Sequence, residues 1–561
     1  MHKINLPNSI AASFAFLTFL VTFFFIKNLH YNYDLSDESY YVYLSAFPDR
    51  IYGSLSSFSY FLNLIFIDLN SNIFAFRMFG VITLLIIISL LFYNLSILFE
   101  LNKIFLRFID KIYLYCFLIF GGLFFYSSWL PTPSYNWLVL ILILLFLICK
   151  VCELNLSNNI FCRYSFLTES LIITILFLAK PTSGVLIFLI NFFSSFFLRQ
   201  NLVINILYNF FNIIIILLLS TLFINFFYGS LEIYFNQFLL AMKIESILTT
   251  SREIVPLISS PITSTLKASS ILFNDYKPEA ASLCTGLILV AFFRKHSLLI
   301  IFIVLLINIY SRTFVNLLLI LILFNYIINT KIIFTNYTYC ILFLILLIFV
   351  YSFGSSNNLF IQSIYISILY FLITYLILIK LDNSHNKFQS YLIILISCLH
   401  VLLSIKNSFL IPYNFDKRID EFVKTQVSIT SKESLNLSKD QSDFMNFTSE
   451  AFKKNNWKKN LYLIDLSGKS PGLLYLLDAK SVGNPWLNGY FAGSDNYAKN
   501  ILDLYSKEHI KKSWLIISEN GQNNISKKVI ENRIGNLNKN YFLFAKYNYR
   551  NEDYTFWKPK K

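Results

Sequence analysis

Within the run Asp34-Leu-Ser-Asp37-Glu38-Ser-Tyr40-Tyr41-Val-Tyr43, three carboxylates fall inside five residues, directly after a very apolar segment. Carboxylates beside a bilayer are costly to keep dry and ordinary to keep wet. Two arrangements suit this spacing. Ser36 can cap a short helix whose first turn carries Asp37 and Glu38, where the helix dipole favours negative charge. Alternatively, one carboxylate waits at the lipid–water boundary as a general base for a membrane-borne substrate. Asp34, Asp37 and Glu38 also offer the oxygen ligands a divalent metal prefers, although no histidine cluster accompanies them and nothing requires a cofactor.

The surrounding chain shows where such a group would sit. Of 561 residues, 56% are apolar and 14% charged, against about 25% charged in soluble domains. Many runs approach the ~20 apolar residues that cross a hydrocarbon core. The expected fold is a polytopic α-helical membrane protein with about thirteen transmembrane helices over residues 1–405, followed by a soluble α/β domain over 406–561. Expected spans cover 9–26, 73–98, 112–130, 137–152, 167–179, a sixth ending at 197, 210–227 and 280–293. Two more flank Arg312, and the last three cover 341–353, 361–379 and 392–405. The mid-spans read as nearly free of charge, with Glu169 at the inner interface and His400 as a packing histidine.

The formal charge of +15 belongs to loops and tail and is no sign of nucleic-acid binding. Lys103, Arg107, Lys111, Lys150, Arg163, Arg199, Arg294, Lys295, Lys331, Lys380 and Lys387 gather on one side if the N-terminus is cytoplasmic. The first loop (28–70), a long polar loop (228–279) and the tail then share the outer face of the cytoplasmic membrane. In the tail, strands are expected at 461–465, 514–518 and 541–545, alternating with helices at 470–479, 495–509 and 526–534. Gly468-Lys-Ser-Pro-Gly472 reads as a turn and helix start, lacking phosphate-loop spacing.

Asp37-Glu38-Ser-Tyr40-Tyr41, placed after the first span, resembles the Asp-Glu-x-x-Tyr first outer loop of GT-C glycosyltransferases. The branch it is most similar to is that of protein O-mannosyltransferases and aminoarabinose transferases. Arg77 at the start of span two, the turn Pro131-Thr-Pro-Ser-Tyr-Asn136, and Lys180-Pro-Thr-Ser-Gly184 after span five are similar to features of that branch. Motif likeness covers roughly the first two hundred residues, and the rest agrees in layout. The chain departs from the branch at Ser54 to Tyr60, which lacks the usual His and paired Pro, and at Pro181-Thr, which replaces Gly-Pro.

The resemblance implies an inverting hexosyl- or pentosyl-transferase. Its donor is a polyprenyl-phosphate sugar, its acceptor a lipid, glycan or protein, and its partners include membrane lipids but no nucleic acid. Asp37 would be the general base or acceptor-orienting carboxylate, with Glu38 second and Asp34, Tyr40 and Tyr41 contacting substrate. Arg77, Lys180, Arg252 and Arg312 would meet the donor phosphate, with Lys243 and Arg252 in the long loop acting as a lid. The cations at span ends can equally snorkel to headgroups. Three rival readings are a transporter or flippase, a polysaccharide ligase or polymerase of another membrane family, and a non-catalytic scaffold. The flippase needs ionisable groups in mid-span, and the ligase needs arginines in the long loop.

Overall fold

The computed structural model describes residues 6–50, 55–101, 106–155, 160–198, 202–248, 276–330, 336–354, 359–381, 387–414, 422–428, 433–489 and 493–560. Apolar runs without proline form helices because a helix satisfies its own backbone groups. They are α1 (Leu6–Lys27), the short α2 (Asp37–Ala46) and α3 (Phe58–Asp68), α4 (Ile73–Leu101) and α5 (Phe108–Leu123). Next come α6 (Tyr135–Asn155), α7 (Ile160–Ala179), α8 (Pro181–Leu198), α9 (Leu202–Tyr228) and α10 (Leu231–Leu248). The bundle continues with α11 (Lys277–Phe292), α12 (Ser297–Ile307), α13 (Phe314–Asn329) and α14 (Asn336–Ser352). It closes with α15 (Leu359–Tyr365), α16 (Ser367–Leu381) and α17 (Lys387–Leu410).

Among the described residues, five helices are long and apolar enough to cross a membrane: α4, α5 with the turn that extends it to Tyr126, α6, α9 and α17. Counting α11 and α12 as one span bent by 118° gives six. The chain therefore has the character of a membrane protein, with fewer full-length spans than the thirteen expected. Length makes the difference. The 16 residues of α13 rise about 24 Å, short of a ~30 Å core. The expected twelfth span is broken at Ile366, between α15 and α16.

Two further expectations change. Residues 231–248 of the supposed polar loop are helical. This α10 sends Ile244 and Leu240 into the core of the C-terminal domain instead of arching as a free lid. Glu169 lies midway along α7, fully buried, where Lys150 Nζ meets it at 2.8 Å and the Tyr208 hydroxyl donates to it.

Beyond α17 the chain forms the hairpin β1 (Phe422–Gln426) and β2 (Ser434–Ser438), then α18 (Lys439–Lys454), β3 (Tyr462–Asp465), α19 (Pro471–Leu476) and β4 (Lys480–Ser481). α20 (Ser494–Asp503), α21 (Lys507–Lys512), β5 (Trp514–Ser518), α22 (Lys528–Ile534), α23 (Leu537–Asn540), β6 (Tyr541–Tyr549) and β7 (Glu552–Pro559) complete it. The sheet runs β4-β3-β5-β7-β6, parallel on one side and antiparallel from β5 onward.

This domain sits on the first loop. The Gly472 amide donates to Leu35 O at 3.0 Å, and Gln441 Nε2 to Tyr33 O at 2.6 Å. The Tyr43 hydroxyl donates to Ala479 O at 2.8 Å. Glu433 accepts from the Ile73 and Phe74 amides at 2.8 and 2.7 Å, placing a carboxylate at the N-terminus of α4. Helix α2 is thus held between bundle and domain.

Candidate active site

Asp34 organises the loop. Its buried carboxylate accepts from the Glu38 amide at 3.2 Å and from Ser36 Oγ at 3.0 and 2.8 Å. Ser36 stands at the cap position of α2, yet its side chain makes no cap bond. Asp34 satisfies the helix start in its place. Burial raises Asp34 above the usual carboxylate range, while its hydrogen bonds favour the charged form.

Glu38 and Arg77 form a buried clamp. Arg77 Nη2 and Nε reach Glu38 Oε1 at 2.8 and 3.1 Å, and the Thr132 hydroxyl also donates to Oε1. Nη1 donates to Leu29 O at 2.5 Å and Tyr31 O at 3.2 Å, and Nη2 to Asn32 O at 2.7 Å. Every guanidinium nitrogen is engaged by protein, and neither side chain is exposed. Glu38 Oε2 accepts the Asp34 amide at 3.2 Å. This corrects two expectations: Glu38 is not presented as a base, and Arg77 has no nitrogen left uncommitted for a phosphate. Together they fold the segment 29–38 into shape.

Asp37 points elsewhere. One residue before Glu38, it leaves the clamp and stays half-buried, with Asp34 and Tyr413 nearby. Burial first, then the Asp34 charge, lift Asp37 to about 6. Tyr41, one turn along α2, lies in reach of Asp37, Tyr365 and Tyr135. The Tyr41 ring packs 5.8 Å from Phe58 and 6.3 Å from Tyr135. Tyr40 faces the C-terminal domain, 5.6 Å from Trp486.

Lys180, in the turn between α7 and α8, closes the far end of this aromatic row. Its ammonium lies 6.0 Å from the Tyr135 ring and 5.4 Å from the Tyr351 ring, and it donates to Tyr351 O. Burial pulls Lys180 down to about 7. The ends of five helices and the segment after α17 thus bring together Asp37, Tyr41, Tyr135, Tyr351, Tyr365, Tyr413 and Lys180.

Other expected residues lie apart. Arg312 is exposed in the turn between α12 and α13, and Lys243 is exposed on α10. Arg252 lies outside the described residues. His400 packs as expected, its Nδ1 2.6 Å from Ile309 O and its ring 4.2 Å from Phe314. Among the described residues no three His, Cys, Asp or Glu side chains converge as metal ligands. Tyr413 and Tyr365 escaped sequence reading. The only signal for Tyr413 was Pro412 at the shift from apolar to polar composition.

Comparison with protein families, with curated proteins and with solved structures finds no match in any of the three.

Proposed function

We propose that the chain is an inverting membrane glycosyltransferase of the GT-C type, of the protein O-mannosyltransferase and aminoarabinose transferase kind. It would move a hexosyl or pentosyl unit from a polyprenyl-phosphate donor to a lipid, glycan or protein acceptor. The proposal includes about thirteen membrane-embedded helices, a cytoplasmic N-terminus, and the C-terminal domain on the outer face of the cytoplasmic membrane. One observation carries it: Asp37, free of the Glu38–Arg77 clamp, stands at one end of a tyrosine-lined row whose other end is the buried Lys180.

In the reaction the acceptor hydroxyl or amine gives its proton to Asp37 as its oxygen or nitrogen attacks the sugar's anomeric carbon. The bond from that carbon to the phosphate oxygen breaks, and polyprenyl phosphate leaves. A carboxyl near 6 is mostly ionised at neutral pH while still basic enough to take a proton. Charge grows on the departing phosphate, and Lys180 is the cation best placed to answer it. Tyrosine faces and hydroxyls suit a sugar ring between the two.

Asp37→Asn is expected to abolish transfer, by roughly 10²–10⁴-fold, with normal insertion. The readout is mass spectrometry of the polyprenyl-phosphate sugar that accumulates in a deletion strain and disappears on complementation. Complementation by Asp37→Asn as complete as by wild type overturns the assignment.

A second reading, a transporter or flippase, is favoured by the Lys150–Glu169 pair, since ionisable groups within a bundle mark transport paths. It ranks below because Lys150 and Glu169 meet each other at 2.8 Å and Glu153 adds a second partner at 2.9 Å, the arrangement of a helix-to-helix tie. Flux of lipid-linked sugar across liposomes that survives Asp37→Asn and fails in Glu169→Gln selects the second reading.

A further inference from the structure

Helix α10 has three sides, and the C-terminal domain covers only one of them. It begins two residues after α9, across Gly229, whose left-handed φ of 79° ends the longer helix. One side of α10 packs on α20 and sends Leu240 and Ile244 into the core of the domain. Leu231, Phe235 and Leu239 recur every four residues and so share a second side. There they are 37%, 55% and 62% exposed, with Phe238 and Met242 half-buried at their border. Glu232, Asn236 and Lys243, spaced by four and seven, hold the third side and are exposed. An open apolar stripe beside an open polar one is the pattern of a helix lying in a membrane surface.

Rings at the end of α9 set the level at which α10 starts. The Tyr228 hydroxyl lies 2.8 Å from Ser57 Oγ, and its ring lies 5.0 Å from Tyr60 and 5.2 Å from Tyr234. Phe227 stacks on Tyr60 at 4.9 Å, and Tyr234 stacks on Phe238 at 6.1 Å. Tyrosine rings gathered around the end of a span mark headgroup depth. Within the span, α9 buries only Asn205, Asn209, Asn212 and Ile224, while Leu217, Leu218, Leu222 and Phe226 are each more than half exposed. That surface belongs to lipid, since α9 is one of the helices long and apolar enough to cross a membrane. Two residues further on, the open apolar stripe of α10 begins from the same belt of rings.

We propose that α10 lies in the plane of the membrane surface where α9 ends. Leu231, Phe235 and Leu239 sink into the boundary between headgroups and acyl chains, and the opposite side of the helix carries the C-terminal domain. The occupant of the stripe is the bilayer, as it is for the open face of α9. The domain thereby gains a membrane anchor through α20 that is separate from its covalent tether at α17.

The test puts p-benzoylphenylalanine, one position at a time, in place of Leu231, Phe235, Asn236 or Leu239 of the full-length chain. Each monodisperse variant is irradiated in nanodiscs of palmitoyl-oleoyl phosphatidylethanolamine and phosphatidylglycerol, and the α10 peptide is then weighed by mass spectrometry. Phospholipid adducts are expected at 231, 235 and 239, at least several-fold above those at 236. Wild-type protein in nanodiscs doped with a diazirine-tailed phospholipid gives the same reading without substitution, with label on the apolar stripe and little on Asn236. Lipid capture at 236 equal to that at 235, or no lipid capture along the stripe, overturns the proposal. Capture of residues 249–275 of the same chain, or of a second copy, overturns it too, because the stripe is then a protein interface.

Discussion

Asp37 and Glu38 are adjacent acids with opposite fates, and burial alone does not separate them. Glu38 gains a guanidinium and a hydroxyl that offset its desolvation, whereas Asp37 has a phenol and a second carboxylate. Its folded value near 6 lies above the 3.8 of an unfolded aspartate. The stability this group contributes is therefore complete below 3.8 and lost as pH rises through 6, to the extent of about 2–3 kcal/mol. Asp37→Asn removes that cost. The variant is expected to melt higher than wild type at pH 8, by a smaller margin at pH 5 and close to it only near pH 3.5, by thermal unfolding in detergent; a lower melt at pH 8 rules the strain out. The proposed reaction needs Asp37 ionised and Lys180 protonated, so kcat/KM should fall below about 6 and again above about 7. In kcat the upper limb should move higher, because bound donor phosphate favours the ammonium. Asp37, Glu38 and Tyr41 were legible because they share one helical turn. Tyr365 and Tyr413 approach the same site from more than three hundred residues away, and no local pattern encodes such an approach.

Helix α2 depends on elements at both ends of the chain. Its bundle side rests on Arg77 of α4, whose planar fork serves a carboxylate and three backbone carbonyls at once. Lysine cannot reproduce that fork, so Arg77→Lys is expected to cost about 3–5 kcal/mol by leaving buried groups unpaired. Loss of folded protein on size-exclusion chromatography would report it; a stable Arg77→Lys with a selectively raised donor KM would instead restore Arg77 as a phosphate ligand. On the other side, a Cβ at Gly472 would lie 2.6 Å from Ser39 Oγ and 2.7 Å from Leu35 Cδ2. Gly472→Val should loosen the domain from the loop, costing about 1–3 kcal/mol, with Gly472→Ala milder; limited proteolysis after residue 410 reads it. The long apolar helices and the strands at 462–465 and 514–518 were legible from apolar runs bounded by polar residues. Helix α10 was not, because its docking face is apolar only in relation to a domain two hundred residues away. Strand β7 was hidden by its charged ends, although Tyr554 to Trp557 are buried at the sheet centre. Its hairpin turn carries no glycine: Arg550 and Asn551 take the left-handed φ values of 52° and 61° themselves.

Across the whole molecule, polar groups inside the bundle collect away from the candidate site. Lys150 of α6 meets Glu169 of α7 at 2.8 Å and Glu153 at 2.9 Å, and Tyr208 of α9 donates to Glu169. The face that α9 buries is mostly amide: Asn205, Asn209, Asn212 and one apolar residue, Ile224. Asn209 donates to Ser195 of α8 at 2.8 Å, and Ser170 of α7 donates to Asn212. In lipid, apolar surfaces gain little by choosing one another, so hydrogen bonds and ion pairs decide which helices meet. The network accordingly fixes α6 to α9 as one block whose opposite end carries Tyr135 and Lys180 of the candidate site. Removing Lys150 takes the cation from two carboxylates, at about 3–5 kcal/mol; removing Glu169 leaves the ammonium to Glu153 and costs less, and removing both deprives Glu153 alone. Lys150→Met and Glu169→Gln are each expected to lower folded yield and melting temperature, with the double variant recovering part of the loss in a double-mutant cycle. Transfer per folded molecule should stay near wild type in all three, because the network holds the block and does not touch substrate. A fully stable Glu169→Gln that loses activity would place the pair in the working path, and the bundle would then have to be understood as a conduit instead of a frame.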